Sequence, residues 1–226
     1  MKKTYNKRPK MLASNDFSHI TTWVFDLDNT LYPPKTNLFG LIEVRMTTWV
    51  MQALNVDEQR ANYLRTHYWK TYGTTLAGLM REHNVDPSPY LTDVHDIALD
   101  RLSPDPLLAQ RIKSLPGRRI IYTNGTADYA TKVVAARGLA GLFDVIYGVE
   151  DADFLPKPEF GAFDLVFGKD GFDRSRAVMF EDDARNLKVP HQMGLKTVLI
   201  NQALELAPYI DRQGPDLSDF LGHILG

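Results

Sequence analysis

With 226 residues, of which 44% are hydrophobic and 24% charged, the chain has the size and balance of one large α/β domain or of a core carrying an insertion, so disordered, collagen-like and coiled-coil architectures are excluded. The lack of any cysteine excludes disulfide scaffolds, thiolate zinc sites, iron–sulfur clusters and cysteine nucleophiles. The formal charge is −2, but the first ten residues carry Lys2, Lys3, Lys7, Arg8 and Lys10 with no acid, so the remainder stands at −7, a poor surface for nucleic acid.

In chain order, residues 1–18 read as a flexible basic tail, without the apolar stretch of a secretory signal. No window has the length and apolarity of a membrane span, so a soluble, cytoplasmic protein is expected. Short apolar runs at 22–25, 119–123, 145–147, 177–180 and 197–200 read as buried strands. Helical patterns separate the last four: one opened by Ser103 as N-cap with Pro104 behind it, then 127–137, 159–167 and 184–193, the last containing Pro190. Strands alternating with helices imply crossovers and a parallel sheet. The expected fold is therefore α/β, a Rossmann-like parallel core with helices on both faces.

The interval 33–100 breaks the rhythm, with helical periodicity and no strand, and reads as an inserted all-helical cap. The core then comprises residues 19–32 and 101–226. Within the cap, Leu38, Ile42, Met46, Trp49, Val50 and Ala53 share one helical face. Tyr63, Leu64, Tyr68 and Trp69 form a second apolar set closed by Gly73, and Leu76, Leu79 and Met80 mark a short third helix before Asp86-Pro87-Ser88-Pro89. Trp49, Tyr68 and Trp69 read as cap core.

In an open parallel sheet, ligands sit beyond the carboxyl ends of the strands. The residues found there are Asp26-Leu27-Asp28-Asn29-Thr30, then Thr123-Asn124-Gly125-Thr126, then Lys157 within Pro156-Lys157-Pro158-Glu159, then Glu181-Asp182-Asp183 with Asn186. Several carboxylates in one place require a cation, and oxygen ligands without cysteine or histidine favour Mg²⁺. A lysine and a threonine hydroxyl beside it suit phosphoryl transfer. Two aspartates two positions apart can divide the work, one attacking phosphorus and the other protonating the leaving oxygen.

The segments WVFDLDNTLYPP, IIYTNG, PKPE and MFEDDARNL resemble the four motifs of the haloacid dehalogenase-like hydrolase superfamily. By that resemblance Asp26 is the nucleophile and Asp28 the general acid and base; Thr123 and Lys157 hold phosphate. Asp182, Asp26 and the main-chain carbonyl of Asp28 bind Mg²⁺. Asn186 supports the metal site and Thr30 steadies the first loop. Dehalogenase-type members lack an acid at the Asp28 position and phosphatases carry one, so the resemblance implies phosphate ester hydrolysis. Proton donation near neutral pH requires an Asp28 pKa above the ordinary value of about 3.9. Glu181 and Asp183 flank Asp182 where relatives often carry other residues, leaving open which of them approaches the metal's waters.

Cap segments LYPP…LF, YGTTLAGLM and YLTDVHDI resemble the pyrimidine 5′-nucleotidase branch. That implies a nucleoside monophosphate such as UMP, with Tyr72, Thr74 and Thr75 closing over sugar and base, and Asn124 and Gly125 also touching substrate. The expected partner is thus a small phosphate monoester, with no nucleic acid or membrane, for a monomer or homodimer. Two alternatives are a sugar phosphate or phosphoglycolate phosphatase and a receiver-type phosphoacceptor module. The receiver order places its acidic pair first, whereas here the pair comes last. A dinucleotide oxidoreductase is disfavoured because no G-x-G-x-x-G follows a strand. Asp183 also reads as a helix N-cap. His67, His83, His95 and His191 read as helix-face or loop residues, with His95-Asp96 as the pair able to reach the cleft from the cap hinge.

Overall fold

The computed structural model describes residues 14–226, so most of the expected basic tail lies outside the described residues. Its last part is not tail-like. Ser14–Phe17 forms a 3-10 turn, and Phe17 is buried against Trp23 and Phe220, with ring centroids 6.4 and 5.8 Å away. Burial of a whole aromatic ring is enough to hold this segment on the core.

Six strands, β1 (Thr22–Phe25), β2 (Arg118–Tyr122), β3 (Val145–Tyr147), β4 (Ala177–Glu181), β5 (Lys196–Ile200) and β6 (Arg212–Gly214), form one sheet in the order β3-β2-β1-β4-β5-β6. Every pairing is parallel. Alternation along the strands divides the core into two layers. Trp23, Phe25, Ile121, Val178 and Phe180 enter one layer, while Val24, Ile120, Tyr122 and Met179 enter the other. Phe180 stacks on Phe25 with centroids 5.0 Å apart.

Helices α1 (Leu38–Leu54), α2 (Glu58–Tyr72), α3 (Thr75–His83) and α4 (Pro87–Val94) stand between β1 and β2, followed there by α5 (Pro106–Ser114). Next come α6 (Ala127–Ala136), α7 (Phe160–Asp170), α8 (Lys188–Gln192) and α9 (Leu217–Leu225). Leu108 and Ile112 of α5, Val133 of α6 and Phe220 of α9 cover the first layer, and Phe163 and Phe167 of α7 with Val189 of α8 cover the second. The protein is an α/β fold with a Rossmann-like sheet covered on both faces. Among the described residues no helix is long and apolar enough to cross a membrane.

Several boundaries differ from expectation. The helix expected at Ser103 starts at Pro106 instead, capped by Asp105, whose carboxylate accepts from the Leu108 N–H at 3.0 Å. Arg137 decides the choice: buried, it donates to the Ser103 carbonyl at 2.5 Å and to Asp105 at 2.8 Å, which holds Ser103 outside the helix. The helix expected over 184–193 is a 3-10 turn, Ala184–Leu187, followed by α8. Pro190 explains the break, since it is tolerated only in the first turn of a helix, where its missing N–H is not needed. Helix α4 was not expected. Asp86 caps it and Pro87 occupies its first position, so a segment that reads as loop is a helix start. Of the apolar cap set, Leu64 and Tyr68 are buried. Tyr63 and Trp69 are 55% and 44% exposed, so Trp69 is not cap core.

Candidate active site

Asp26 stands immediately beyond β1, the strand flanked on both sides by neighbours, and its N–H continues the ladder to the Phe180 carbonyl at 2.9 Å. Alternation then buries Leu27 and turns Asp26 and Asp28 to the cleft. The loop closes by a bond from the Leu31 N–H to the Leu27 carbonyl at 2.9 Å, which Asn29 permits by adopting a left-handed φ of 61°. The main chain rather than the Thr30 side chain therefore holds this loop: the buried Thr30 hydroxyl has no hydrogen-bond partner among the described residues.

The other predicted residues arrive from the neighbouring strand ends. Lys157, 1% exposed, spends its three ammonium protons on Asp26 Oδ1 at 2.6 Å, Glu181 Oε1 at 2.7 Å and the Tyr122 carbonyl at 3.1 Å. Asn124 fixes the Lys157 backbone by a reciprocal pair, accepting from its N–H at 2.8 Å and donating to its carbonyl at 3.1 Å. Thr123 is buried, and its hydroxyl accepts from the Gly125 N–H at 3.0 Å. Asp182 is reached by Asn29 Nδ2 at 3.3 Å. Asp183 caps the turn that follows, accepting from the Arg185 N–H at 3.0 Å.

Glu181 answers the question left open by sequence. It is buried, accepts from Lys157 and from Asn186 Nδ2, both at 2.7 Å, and takes the Asp183 N–H at 2.9 Å. One oxygen of each of Asp26, Glu181 and Asp182 lies within 4.8 Å of the others. Asp183 is occupied as a cap and as a partner of Arg185.

The electrostatics point to a cation. Burial first, then the Glu181 charge, push the Asp26 carboxyl up to about 8 against the pull of Lys157. Burial and Glu181 push Asp182 up to about 9. Four carboxylates, those of Asp26, Asp28, Glu181 and Asp182, share one lysine in this cleft. A hard divalent ion suits this all-oxygen set, and the buried Asn186 Oδ1, which has no partner among the described residues, is a further oxygen at the same cleft.

Asp28 has a different surrounding. Burial pushes its carboxyl up, while hydroxyls from Tyr32 at 2.5 Å and Tyr129 at 2.9 Å both donate to Oδ1 and oppose the rise. With both donors on Oδ1, Oδ2 remains for a reacting group. Sequence reasoning missed both tyrosines as site residues. Tyr32 lies four residues past Asp28, and Tyr129 lies in the first turn of the helix after the Thr123 loop, so spacing offered a signal.

Asp26, Asp28, Lys157, Glu181 and Asp182 line a cleft of about 510 Å³ that the four helices α1 to α4 wall on the other side. Of the predicted cap residues, Thr74 and Thr75 line it. Thr74 also caps α3, accepting from the Ala77 N–H at 3.1 Å. Tyr72 is a correction: it does not line the cleft, and its hydroxyl is turned to Glu82. Its neighbour Gly73 has φ +89°, and a Cβ there would meet the Lys157 carbonyl at 3.3 Å, so glycine lets cap and core backbones touch. Trp69 joins the site instead, with the Arg185 guanidinium 3.8 Å over its ring. His95 also lines the cleft, stacked on Tyr129 at 4.5 Å.

A family comparison matches residues 20–194 of this chain, with its aspartate-bearing strand end, buried lysine and acidic pair on a parallel sheet, to haloacid dehalogenase-like hydrolase. The chain belongs to this family. A curated relative, Phosphate metabolism protein 8 of Saccharomyces cerevisiae, is 25% identical over 191 residues, which is 77% of this chain and 60% of the relative. The chain thus spans about three fifths of that relative's length. A HAD phosphatase from Thermococcus onnurineus is similar in fold, with a TM-score of 0.60 at 17% identity, covering 92% of this chain and 98% of the other. So is the L-2-haloacid dehalogenase from Xanthobacter autotrophicus with chloropropionic acid covalently bound, with a TM-score of 0.59 at 18% identity, covering 92% and 99%. This haloacid dehalogenase-like hydrolase therefore shares its fold with members of both chemistries, and only its own residues discriminate between them.

Proposed function

We propose that the protein is a Mg²⁺-dependent phosphatase acting on a nucleoside 5′-monophosphate, a pyrimidine nucleotide such as UMP, through an aspartyl phosphate. The observation that carries the reading is Asp28: a buried carboxyl two residues past the nucleophile position, its pKa raised by burial, with Tyr32 and Tyr129 on one oxygen and the other free. A carboxyl so placed donates a proton to a leaving alkoxide. A halide leaving group needs no proton, which makes Asp28 superfluous for dehalogenation.

In the first step an Asp26 oxygen attacks phosphorus while the bond from phosphorus to the ester oxygen breaks, and Asp28 gives its proton to that oxygen. In the second, Asp28 takes a proton from water as the water oxygen attacks phosphorus, and the bond to Asp26 breaks to release phosphate. Lys157 supplies positive charge beside the nucleophile, and Thr123 with the Asn124 and Gly125 main chain borders the phosphate. Asp26, Asp182 and the Asp28 carbonyl would hold Mg²⁺, with Glu181 and Asn186 behind them. The ion when bound neutralises the carboxylates and the non-bridging phosphate oxygens. The cap keeps bulk water from the acyl phosphate.

Phosphate release is measured from UMP, CMP, dUMP, AMP, GMP, phosphoglycolate, glucose phosphates and an aryl phosphate, with Mg²⁺ and again with EDTA; halide release from a 2-haloacid is measured alongside. Mg²⁺-dependent release favouring UMP and CMP supports the reading. Release from sugar or glycolate phosphates alone keeps the chemistry and replaces the substrate, and halide release without phosphate release overturns it.

A further inference from the structure

His95, the residue that follows α4, belongs to the cap but lies on the core. Arg45 of α1 grips the chain on either side of it, donating to the Asp93 carbonyl at 2.6 Å and standing 3.4 and 3.6 Å from the Asp93 and Asp96 carboxylates, so the histidine is fixed to the cap. Its ring lies on Tyr129 of α6 with centroids 4.5 Å apart and planes 13° from parallel. Gly125 makes the approach possible, since a Cβ there would crowd Tyr129 Cδ1 at 3.1 Å and touch His95 Nε2 at 3.4 Å. Tyr129 in turn donates to Asp28 Oδ1 at 2.9 Å. One chain of contacts therefore runs from a cap helix through an imidazole and a phenol to the carboxyl read above as the proton donor.

Tyr129 is 1% exposed, and one face of its ring is covered by His95, which itself lines the cleft. Removing the imidazole opens that face to the cleft, and a ring without its stacking partner is freer to swing its hydroxyl. A shift of about 1 Å in a catalytic group is enough to cost about 10²-fold in rate. We propose that His95 is a positioning residue for proton transfer: from the cap it pins the Tyr129 ring, and through the Tyr129 hydroxyl it holds the Asp28 carboxyl in the pose that serves the leaving oxygen. Asp28 is then aligned with the cap seated on the core, so the acid is set while the cleft is closed to bulk water. This rests on the reading of Asp28 as proton donor and is independent of which alkyl phosphate is the substrate.

The test compares kcat/KM, which reports the step that breaks the ester bond, for the alkyl monoester hydrolysed best, UMP on the reading above, and for a nitrophenyl phosphate, whose leaving group departs without a proton. His95→Leu and His95→Gln remove the flat ring while filling its place with an apolar or a polar group, and melting curves establish that each is folded. Both lower the ratio of alkyl to aryl kcat/KM by about ten-fold or more. His95→Phe, which restores a ring on Tyr129, returns the ratio to near the wild-type value. In an Asp28→Asn background, where the carboxyl is already gone, His95→Leu lowers the ratio no further. An unchanged ratio in both His95→Leu and His95→Gln, equal losses on the two esters, a His95→Phe protein as impaired as His95→Leu, or a full additional loss in the Asp28→Asn background each overturns the role of His95. Asp28→Asn by itself separates the two failures: equal losses on both esters there overturn the reading of Asp28, and with a selective loss there the other results judge His95 alone.

Discussion

At the sheet end of the cleft, Asp26, Lys157, Glu181 and Asn186 are tied together by bonds of 2.6 to 2.7 Å, whereas the cap end is lined by apolar side chains, among them Ile42, Met46, Leu76 and Leu91. The first region is anchored by strand ladders that fix each loop at its root. The second is built from helices joined by side-chain packing and by side-chain bonds such as Arg65 to Thr47 at 2.7 Å and Arg45 to the Asp93 carbonyl at 2.6 Å. Preorganised charge suits a reaction common to a whole family, while the shape and apolar lining of a pocket suit the choice of one substrate. The two regions meet at Gly73 on the Lys157 backbone, at Trp69 under Arg185 and at His95 on Tyr129.

If the sheet end carries the chemistry, the largest effect comes from Asp26→Asn, which should lower kcat by roughly 10⁴-fold or more with little change in the unfolding midpoint, since burial and the Glu181 charge already disfavour a charged carboxyl there and offset the loss of its pair with Lys157. Steady-state rates and thermal melts check both halves. Asp28→Asn should lower kcat by about 10²- to 10⁴-fold on a nucleotide and much less on an aryl phosphate whose leaving group needs no proton. Equal losses on the two substrates would remove Asp28 from the proton transfer. Lys157→Met leaves the Asp26 and Glu181 carboxylates buried without their ammonium partner. It should therefore destabilise the fold by about 3–5 kcal/mol, measured by denaturant titration.

Smaller effects test the junction and the cap. Burial lowers the pKa of His95 from the ordinary 6.5 to about 4, against weaker opposing contributions from the Leu91 carbonyl and Asp128. A depressed histidine favours the fold while neutral, so between these two values the unfolded chain binds more protons and stability falls as pH falls. His95→Phe keeps a ring on Tyr129 and removes that term. Relative to wild type it should gain roughly 2–3 kcal/mol on going from pH 7 to pH 4.5, read from unfolding titrations at the two pH values. Thr74→Val should cost about 1 kcal/mol through loss of the α3 cap, and Thr74→Ser close to nothing. Thr75→Val should instead alter the ranking of substrates with little change in stability.

The core was the legible region. Buried parallel strands are apolar on both faces, so β1 to β5 stood out as runs, and the residues just past them had to face the cleft. The short edge strand β6, Arg212–Gly214, has no apolar run to mark it, since its three residues are Arg, Gln and Gly and only Gly214 is buried. Helix α9 carried a readable cap in Asp216 and apolar positions at Leu217, Phe220 and Leu221, and α4 was hidden by prolines that mark a helix start as readily as a loop. In the cap, periodicity located the apolar stripes but could not tell which members face outward. Trp69 and Tyr72 exchanged their expected roles because a stripe wider than the buried face leaves its margins free to meet the core or solvent.

The sequence by itself determined the α/β class, the inserted helices and the residues at the strand ends, because hydrophobic period and chain order impose these locally. Only the tertiary structure decided that Glu181 joins Asp26 and Asp182, that Tyr32 and Tyr129 converge on one oxygen of Asp28, and that Trp69 rather than Tyr72 lines the cleft. Those are contacts between residues distant in the chain or on different elements. Their geometry depends on how helices and strands pack, which no local pattern encodes.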